Sequence, residues 1–313
     1  MEYLLLIAGF ILLLYGGHLL VKAGVALADR YKLSPLVIGL TIVSFGTSAP
    51  ELFVSVVAGI RGHDQVAIGN VIGSNIANVT LVLALTAIIF PIPVRSTSVK
   101  VDGPFMLVVS LLLLGFLYNL VLSRWEGLVF LILILAYTLG HFYYSRKTKD
   151  FTLRPIEVKP MQLWKIIVLM LLSYIGLAFG SELLVNNASK IAISLGVDER
   201  IIAVSMVAFG TSLPELVTSV IAAFRKEMDI SIGNIIGSNI FNILVVLGIS
   251  SLIRPLKVNP AFISNDIIWM IGTSLLLFLF ILPFKGGKLT RIKGAILFVI
   301  YCVYVYILYF SRA

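Results

Sequence analysis

Long apolar runs alternate with short polar segments along this chain, and the runs predict ten membrane-spanning helices. Most runs reach about 20 residues, the length that an α-helix needs to cross the hydrocarbon core of a bilayer. The first run continues well past the length of a signal peptide, so we expect it to be a retained span. Charged residues, glycines and prolines mark the boundaries. The predicted spans are 3–28, 34–60, 66–90, 103–120, 125–144, 163–193, 199–224, 230–252, 263–283 and 290–310.

The polar positions inside these apolar runs occur twice. Gly-Thr-Ser-Ala-Pro-Glu at 46–51 returns as Gly-Thr-Ser-Leu-Pro-Glu at 210–215, an offset of 164 residues. Gly-Asn-Val-Ile-Gly-Ser-Asn-Ile-Ala-Asn at 69–78 returns at 233–242 with the same offset. Of the 34 positions in 45–78, 20 are identical to their partners without a gap. The chain is therefore predicted to be a duplication of a five-span unit.

An odd number of spans in each copy has a topological consequence. The second copy must enter the membrane from the opposite side, as in the inverted repeats of secondary transporters. The predicted fold is an all-α polytopic membrane protein with ten transmembrane helices in two inverted-topology five-helix repeats. We place the first repeat at 1–145, with its motifs in 44–78, and a short linker at 146–162. The second repeat spans 163–313, with its motifs in 208–242.

Composition and charge exclude a soluble protein and indicate an orientation. Hydrophobic residues make up 59% of the chain, charged residues 12%, and the mean hydropathy is +1.06. The net charge of +9 comes from basic residues scattered in loops, which argues against nucleic-acid binding. A cytoplasmic loop at 145–162 puts 16 of these basic residues inside and 6 outside. We expect a multi-pass protein of the cell (inner, cytoplasmic) membrane, with this central loop cytoplasmic and both termini extracytoplasmic. The single cysteine, Cys302, excludes an internal disulfide.

The second and seventh spans each carry a glutamate directly after a proline. Pro50 and Pro214 lack a backbone donor and disfavour helix in the preceding residues, so each span is predicted to break there. Broken backbone at membrane depth is tolerated where it is buried in protein or lines a polar cavity. We therefore expect two oxygen-rich breaks, which the pseudo-twofold axis brings together near the midplane with Glu51 and Glu215. The hydroxyl residues at the breaks are Thr47, Ser48, Thr211 and Ser212.

The third and eighth spans repeat a narrow polar face. Asn70, Ser74 and Asn78 recur every four residues and so lie on one side of a helix. Asn234, Ser238 and Asn242 repeat this arrangement. Singly, each residue suits an interhelical hydrogen bond. Together with the glutamates, they supply the side-chain oxygens that a cation site needs.

The atom types select the cation. Carboxylate, amide, hydroxyl and backbone oxygens, without nearby cysteine or histidine, favour calcium, sodium or magnesium, and a dehydrated protein cage favours calcium. Two ionised glutamates are neutralised by one Ca²⁺ or two Na⁺, and a third Na⁺ would carry one net charge. Two bare carboxylates at low dielectric are costly, which gives a physical reason for obligatory exchange.

These motifs resemble the two α-repeats of the sodium/calcium exchanger family, within the cation/calcium antiporter superfamily, in its prokaryotic form. The family patterns are Gly-[Thr/Ser]-Ser-x-Pro-[Glu/Asp] and Gly-Asn-x-x-Gly-Ser-x-x-x-Asn, and both occur twice here, in order. The similarity in architecture covers essentially the whole chain. It implies an antiporter rather than an enzyme, which exchanges Ca²⁺ for several Na⁺ by alternating access. No cofactor and no protein partner are implied beyond the transported ions and the lipid bilayer.

The resemblance also assigns roles to residues. It implies that Glu51 and Glu215 are the central calcium ligands, completed by Asn78 and Asn242. Some relatives have aspartate in place of Asn242 and alanine in place of Ser44. The remaining implied ligands are the carbonyls of Thr47, Thr211, Ser44 and Ala208 and the sodium-site serines Ser48, Ser74, Ser212 and Ser238.

Three alternatives stay open. A calcium/proton exchanger of the same fold would also use intramembrane glutamates, which can carry protons when buried. An intramembrane hydrolase would use two carboxylates as acid and base, but it gives no reason to duplicate the whole ligand set. A cation channel is possible in principle, although inverted repeats suit exchange better than continuous conduction.

Overall fold

The computed structural model describes residues 1–148, 160–195, 210–282 and 287–310, and these residues are almost entirely helical. The helices are α1 Glu2–Tyr31, α2 Pro35–Thr47, α3 Ala49–Ile60, α4 Asp64–Ile89, α5 Ser98–Asn119, α6 Arg124–Thr148, α7 Leu163–Ser194, α8 Leu213–Phe224, α9 Met228–Ile253, α10 Phe262–Ile281 and α11 Arg291–Phe310. The strands are β1 Ile92–Pro93, β2 Val121–Leu122, β3 Leu256–Lys257 and β4 Lys288–Leu289.

The described helices agree with the predicted spans. Within the described ranges, eight helices are long and apolar enough to cross a membrane, and α2 with α3 makes a ninth if the bent pair is one span. The remaining prediction, at 199–224, lies partly outside the described residues, and α8 is its described part. Helices are suited to the hydrocarbon core of a membrane because lipid offers no hydrogen-bond partners and a helix pairs its backbone groups internally.

The sequence duplication extends to the bounds of the elements. Shifting the bounds of α3 and α4 by 164 residues reproduces those of α8 and α9. The same shift carries the π-helical turn at 78–83 onto that at 242–247, and the turn at 98–102 onto that at 262–266. The two copies of the sequence therefore adopt the same local structure, irregular turns included.

The chain divides into two compact units, and the first comprises 1–50 and 139–234. Here α1 and α7 pack closely and run antiparallel. A Cβ atom at Gly9 would lie 2.8 Å from the Leu184 nitrogen, and one at Gly180 would lie 2.8 Å from the Leu13 nitrogen. Glycine is required because the two backbones nearly touch, as in other close helix crossings in membranes. The apolar core of this unit includes Leu13, Leu20, Val21, Ile38, Leu177, Leu213, Ala222 and Ile230.

The second unit comprises 51–138 and 235–313. Its α11 packs against the end of α4, where a Cβ atom at Gly294 would lie 2.8 Å from the Ala84 carbonyl oxygen. Its α5 packs against α10. Two short antiparallel ribbons, β1 with β4 and β2 with β3, pair loops that are far apart in sequence.

Each compact unit draws on both copies of the sequence repeat. The chain passes from one unit to the other after residues 50, 138 and 234. The third span of each copy, which is α4 or α9, is thus packed together with its candidate ligands by segments from both copies. The repeat boundaries at 1–145 and 163–313 stay a prediction about the duplication.

Candidate cation-binding site

The predicted break in the second span is present at a serine, and the helix of the seventh span begins directly after the equivalent serine. Ser48 separates α2 from α3, and the two helices bend by 48° at this residue. Ser48 has φ −86° and ψ 7°, and Ser212, directly before α8, has φ −87° and ψ 2°. These values fall in the bridge region, which is sparsely populated and recurs at functional sites. Glu51 and Glu215 then lie in the first turns of α3 and α8, where the helix dipole favours negative charge.

In the first unit, the break at Ser48 contacts the second glutamate. The Ser48 hydroxyl donates to Glu215 Oε1 at 3.0 Å, and both residues are fully buried. The neighbouring Thr47 hydroxyl donates to Asn234 Oδ1 at 3.0 Å. Because this hydroxyl is bonded within the protein, the arrangement suits the carbonyl role predicted for Thr47. The result is a buried cluster of oxygen atoms around one carboxylate.

Ser44 fastens α2 to α9 within the same unit. Its hydroxyl lies 2.6 Å from the Gly39 carbonyl oxygen and 3.0 Å from the Asn234 carbonyl oxygen. Gly39 and Gly233 allow this approach, since a Cβ atom at Gly233 would lie 2.8 Å from the Leu36 carbonyl oxygen. The hydroxyl of Ser44 is thus engaged in packing, and its carbonyl remains the predicted ligand.

An asparagine holds the backbone of each glutamate, with the same geometry in each unit. In the first unit, Asn234 Nδ2 donates to the Glu215 carbonyl oxygen at 3.5 Å and to Ser219 Oγ at 3.0 Å. In the second unit, Asn70 Nδ2 donates to the Glu51 carbonyl oxygen at 3.3 Å and to Ser55 Oγ at 3.0 Å. Asn70 and Asn234 therefore use their amide nitrogens to fix the glutamate turns, and the Oδ1 of Asn234 accepts from the Thr47 hydroxyl.

The second unit also contains the two asparagines predicted to complete the central site. Asn78 and Asn242 are fully buried, and each is the first residue of a π-helical turn. Such turns interrupt the regular helical hydrogen bonding and occur frequently at functional sites. Asn242 Nδ2 donates to Asn75 Oδ1 at 3.1 Å. The two ligand candidates thus begin the irregular segments of α4 and α9.

The predicted site residues fall into a group in each unit. All of them that the structure describes are buried, except Thr211, which is half-buried. Ala208 lies outside the described residues. The first unit holds Ser44, Thr47, Ser48, Thr211, Ser212 and Glu215. The second holds Glu51, Ser74, Asn78, Ser238 and Asn242.

Sequence reasoning missed four polar residues that support these groups. Ser55 and Ser219 accept from the asparagines that hold the glutamates. Asn75 and Asn239 donate to each other's carbonyl oxygens at 3.2 and 3.3 Å. The two members of each pair, Ser55 with Ser219 and Asn75 with Asn239, are 164 residues apart. Their identity at the repeat offset was the signal that could have found them.

Several buried oxygens in these groups have no hydrogen-bond partner among the residues that the structure describes. They are Asn78 Oδ1, Asn242 Oδ1 and Ser212 Oγ. A buried polar group without a partner costs about 1–3 kcal/mol, so such groups call for an explanation. Carbonyl and hydroxyl oxygens beside buried carboxylates are the donors that hard cations prefer. The residues therefore fit a site for Ca²⁺ or Na⁺ as a transported substrate.

Comparison with known proteins identifies the family. The family model for the sodium/calcium exchanger protein matches residues 1–143 and 165–310. The sodium/calcium exchanger MaX1 of Methanosarcina acetivorans is 32% identical over 347 aligned positions, which cover 99% of each chain. The inner membrane protein YrbG of Escherichia coli is 35% identical and covers 87% of this chain and 86% of its own.

A solved structure extends the similarity to the fold. The sodium-calcium exchanger NCX_Mj, soaked with 10 mM Na⁺ and 10 mM Sr²⁺, superimposes with a TM-score of 0.82 at 33% identity. The match covers 96% of both chains. This fold is consistent with the ten helices that the duplicated sequence predicts. The chain is a multi-pass membrane protein of the antiporter type, and it belongs to the sodium/calcium exchanger family.

Proposed function

We propose that this protein exchanges Ca²⁺ for several Na⁺ through one oxygen-lined site near the middle of the membrane. Glu51 and Glu215 supply the charge, and Asn78 and Asn242 supply amide oxygens. The backbone carbonyls of Ser44, Thr47, Ala208 and Thr211 and the hydroxyls of Ser48, Ser74, Ser212 and Ser238 complete the proposed ligand set.

The contact between Ser48 and Glu215 is the observation that carries this proposal. It joins the hydroxyl at one helix break to the fully buried carboxylate that follows the other break, at 3.0 Å. A kink that served packing alone would need neither group. A buried carboxylate with oxygen-rich surroundings binds a cation because the cation removes the cost of the desolvated charge.

Charge balance explains why transport is coupled. One Ca²⁺ or two Na⁺ neutralise two carboxylates, whereas the ion-free site leaves both charges at low dielectric. The ion-free site therefore crosses between the two sides of the membrane slowly, and the loaded site crosses readily. Alternating access of this kind gives exchange rather than leak. A third Na⁺ makes each cycle move one net charge.

We further propose an orientation in the cell membrane. The excess of basic residues on the loops assigned to the inside favours a cytoplasmic central loop and extracytoplasmic termini. In the cell, sodium entry would then drive calcium export.

The first test is radioactive calcium uptake into proteoliposomes loaded with sodium and diluted into choline, potassium or acidic media. We expect uptake that requires internal sodium and that is lost in Glu51→Gln and in Glu215→Gln. A potassium diffusion potential should change the rate if each cycle moves net charge. Uptake that follows a proton gradient regardless of sodium would overturn the sodium coupling and indicate a calcium/proton exchanger.

A further inference from the structure

Asn75 and Asn239 form a reciprocal clamp between α4 and α9 in the second unit. Asn75 Nδ2 donates to the Asn239 carbonyl oxygen at 3.2 Å, and Asn239 Nδ2 donates to the Asn75 carbonyl oxygen at 3.3 Å. Each amide nitrogen also lies 3.7 Å from a methionine sulfur, that of Met270 for Asn75 and that of Met106 for Asn239. The two residues are repeat partners, so their backbone clamp is symmetric.

The symmetry ends at the side-chain oxygens. Asn75 Oδ1 accepts a hydrogen bond from Asn242 Nδ2 at 3.1 Å. The corresponding oxygen of Asn239 has no partner among the described residues, and neither amide atom of Asn78 has one there. Asn75 therefore makes one contact that its repeat partner lacks, and this contact is with a predicted ion ligand.

This contact decides which end of the Asn242 amide points away from Asn75. An asparagine side chain has a donor nitrogen at one end and an acceptor oxygen at the other. With the nitrogen bonded to Asn75, the oxygen faces the opposite direction. Asn242 Oδ1 is buried and has no hydrogen-bond partner in the described part of the chain. A cation can bind an amide through its oxygen only.

We propose that Asn75 is a positioning residue, which holds the Asn242 amide so that its oxygen serves as a cation ligand. The inference rests on the proposed function, since it assigns a role within the same site. Residues that orient a ligand commonly matter for affinity almost as much as the ligand itself.

Asn75 also favours an amide over a carboxylate at position 242. An aspartate there would present an oxygen to Asn75 Oδ1, and two acceptors facing each other at hydrogen-bond distance repel. Asn75 thus favours a neutral ligand at 242 and keeps the charge of the ligand set at that of Glu51 and Glu215. A carboxylate at 242 has two equivalent oxygens and needs no such orientation.

The test compares Asn75→Leu with Asn239→Leu, because both lose one arm of the clamp and only the first loses the contact with Asn242. We expect Asn75→Leu to raise the half-saturating Ca²⁺ concentration for exchange by about tenfold, with a smaller effect on the maximal rate. Asn239→Leu should change it by less than half as much. Equal effects of the two variants would overturn the proposal, because they would show that the clamp alone matters.

A second arm uses Asn242→Asp, in which there is no amide to orient. Because an aspartate has no amide to orient and is repelled by Asn75 Oδ1, adding Asn75→Leu to this variant should leave the half-saturating Ca²⁺ concentration unchanged or lower it, whereas a persistent rise of about tenfold would contradict the proposal. Thermal unfolding in detergent shows whether each variant folds. If either leucine variant does not fold, the single variants Asn75→Ala and Asn239→Ala are compared instead. Calcium binding to the purified protein gives a readout that is independent of sodium coupling. Failure of sodium-dependent uptake in the unmutated protein would refute the proposed function, and unequal calcium binding by the two variants would still support the inference.

Discussion

At the scale of single residues, the site depends on which atom of each polar side chain is engaged within the protein. The hydroxyls of Ser44 and Thr47 are bonded to neighbouring protein atoms, and Asn70 and Asn234 use their amide nitrogens to hold the glutamate turns. Ser48 contacts the carboxylate of Glu215 directly. The proposed ligands and the residues that support them are thus of the same chemical types.

Ser48→Ala tests the contact with the carboxylate. A hydrogen bond to a charged group contributes about 1.5–3 kcal/mol, and about 1.4 kcal/mol corresponds to a tenfold change in affinity. We expect the half-saturating Ca²⁺ concentration, measured by radioactive calcium uptake, to rise about tenfold or more. Ser110→Ala is the matched control, because among the described residues that buried hydroxyl donates only to the Met106 carbonyl oxygen of its own helix, at 2.8 Å. Equal results for the two variants would argue against a role for Ser48 at the carboxylate.

At the scale of helices, the breaks are sustained by close packing as well as by the prolines. Tyr174 of α7 lies against Gly46, one turn before Pro50, and its hydroxyl donates to the Ile42 carbonyl oxygen at 3.1 Å. That carbonyl lies in the π-helical turn at 39–43. By contrast, a Cβ atom at Gly73 would meet no described atom within 4 Å, so no described helix approaches closely there. Glycines of the repeated motifs therefore serve different purposes.

Gly46→Ala tests the packing of Tyr174 on the break. The added Cβ atom would overlap the tyrosine ring, and insertions of this kind commonly destabilise a well-packed core by about 1–3 kcal/mol. We expect lower thermal stability in detergent and a large loss of exchange, with partial recovery in the double variant Gly46→Ala/Tyr174→Ala.

Gly115→Ala is the control for this substitution. A Cβ atom at Gly115 would meet no described atom within 4 Å, so stability and exchange should remain near those of the unmutated protein. If Gly46→Ala behaved like this control, the packing of Tyr174 would not be what requires a glycine.

At the scale of the whole molecule, duplication and compactness follow different divisions of the chain. The bounds of the helices repeat with the sequence, but each compact unit combines segments from both copies. A five-span copy therefore does not pack as a separate body, and its polar groups find partners in the other copy. The orientation in the membrane is a property of this scale, since it depends on the sum of charges over all loops.

Cysteine labelling tests the proposed orientation. In a Cys302→Ser background, His63→Cys and Gln162→Cys place single thiols at two exposed loop positions. We expect a membrane-impermeant maleimide to label position 63 in intact cells and position 162 only in inside-out vesicles. The opposite pattern would mean that the basic-residue count misassigned the sides of the membrane.

The sequence by itself determined that the chain spans a lipid bilayer, the number of spans, the duplication and the chemical character of the candidate site. Apolar runs of membrane length, a gap-free repeat and prolines beside glutamates are local signals, and local physics decides whether a segment lies in lipid and where a helix breaks. The break at Ser48 was predicted for this reason and is present, and Ser212 has the same backbone conformation at the equivalent position of the repeat.

Only the tertiary structure decided the partner of each polar group. The amide of Asn242 can turn either end toward a neighbour, and the position of Asn75 selects the nitrogen. Likewise, the Glu51 carbonyl and the Ser55 hydroxyl engage the amide nitrogen of Asn70, and no pattern in the sequence shows that pairing. Spacing along a helix shows which residues share a face. The direction in which an amide or hydroxyl acts depends on atoms from segments that are distant in sequence, and their positions are set by packing.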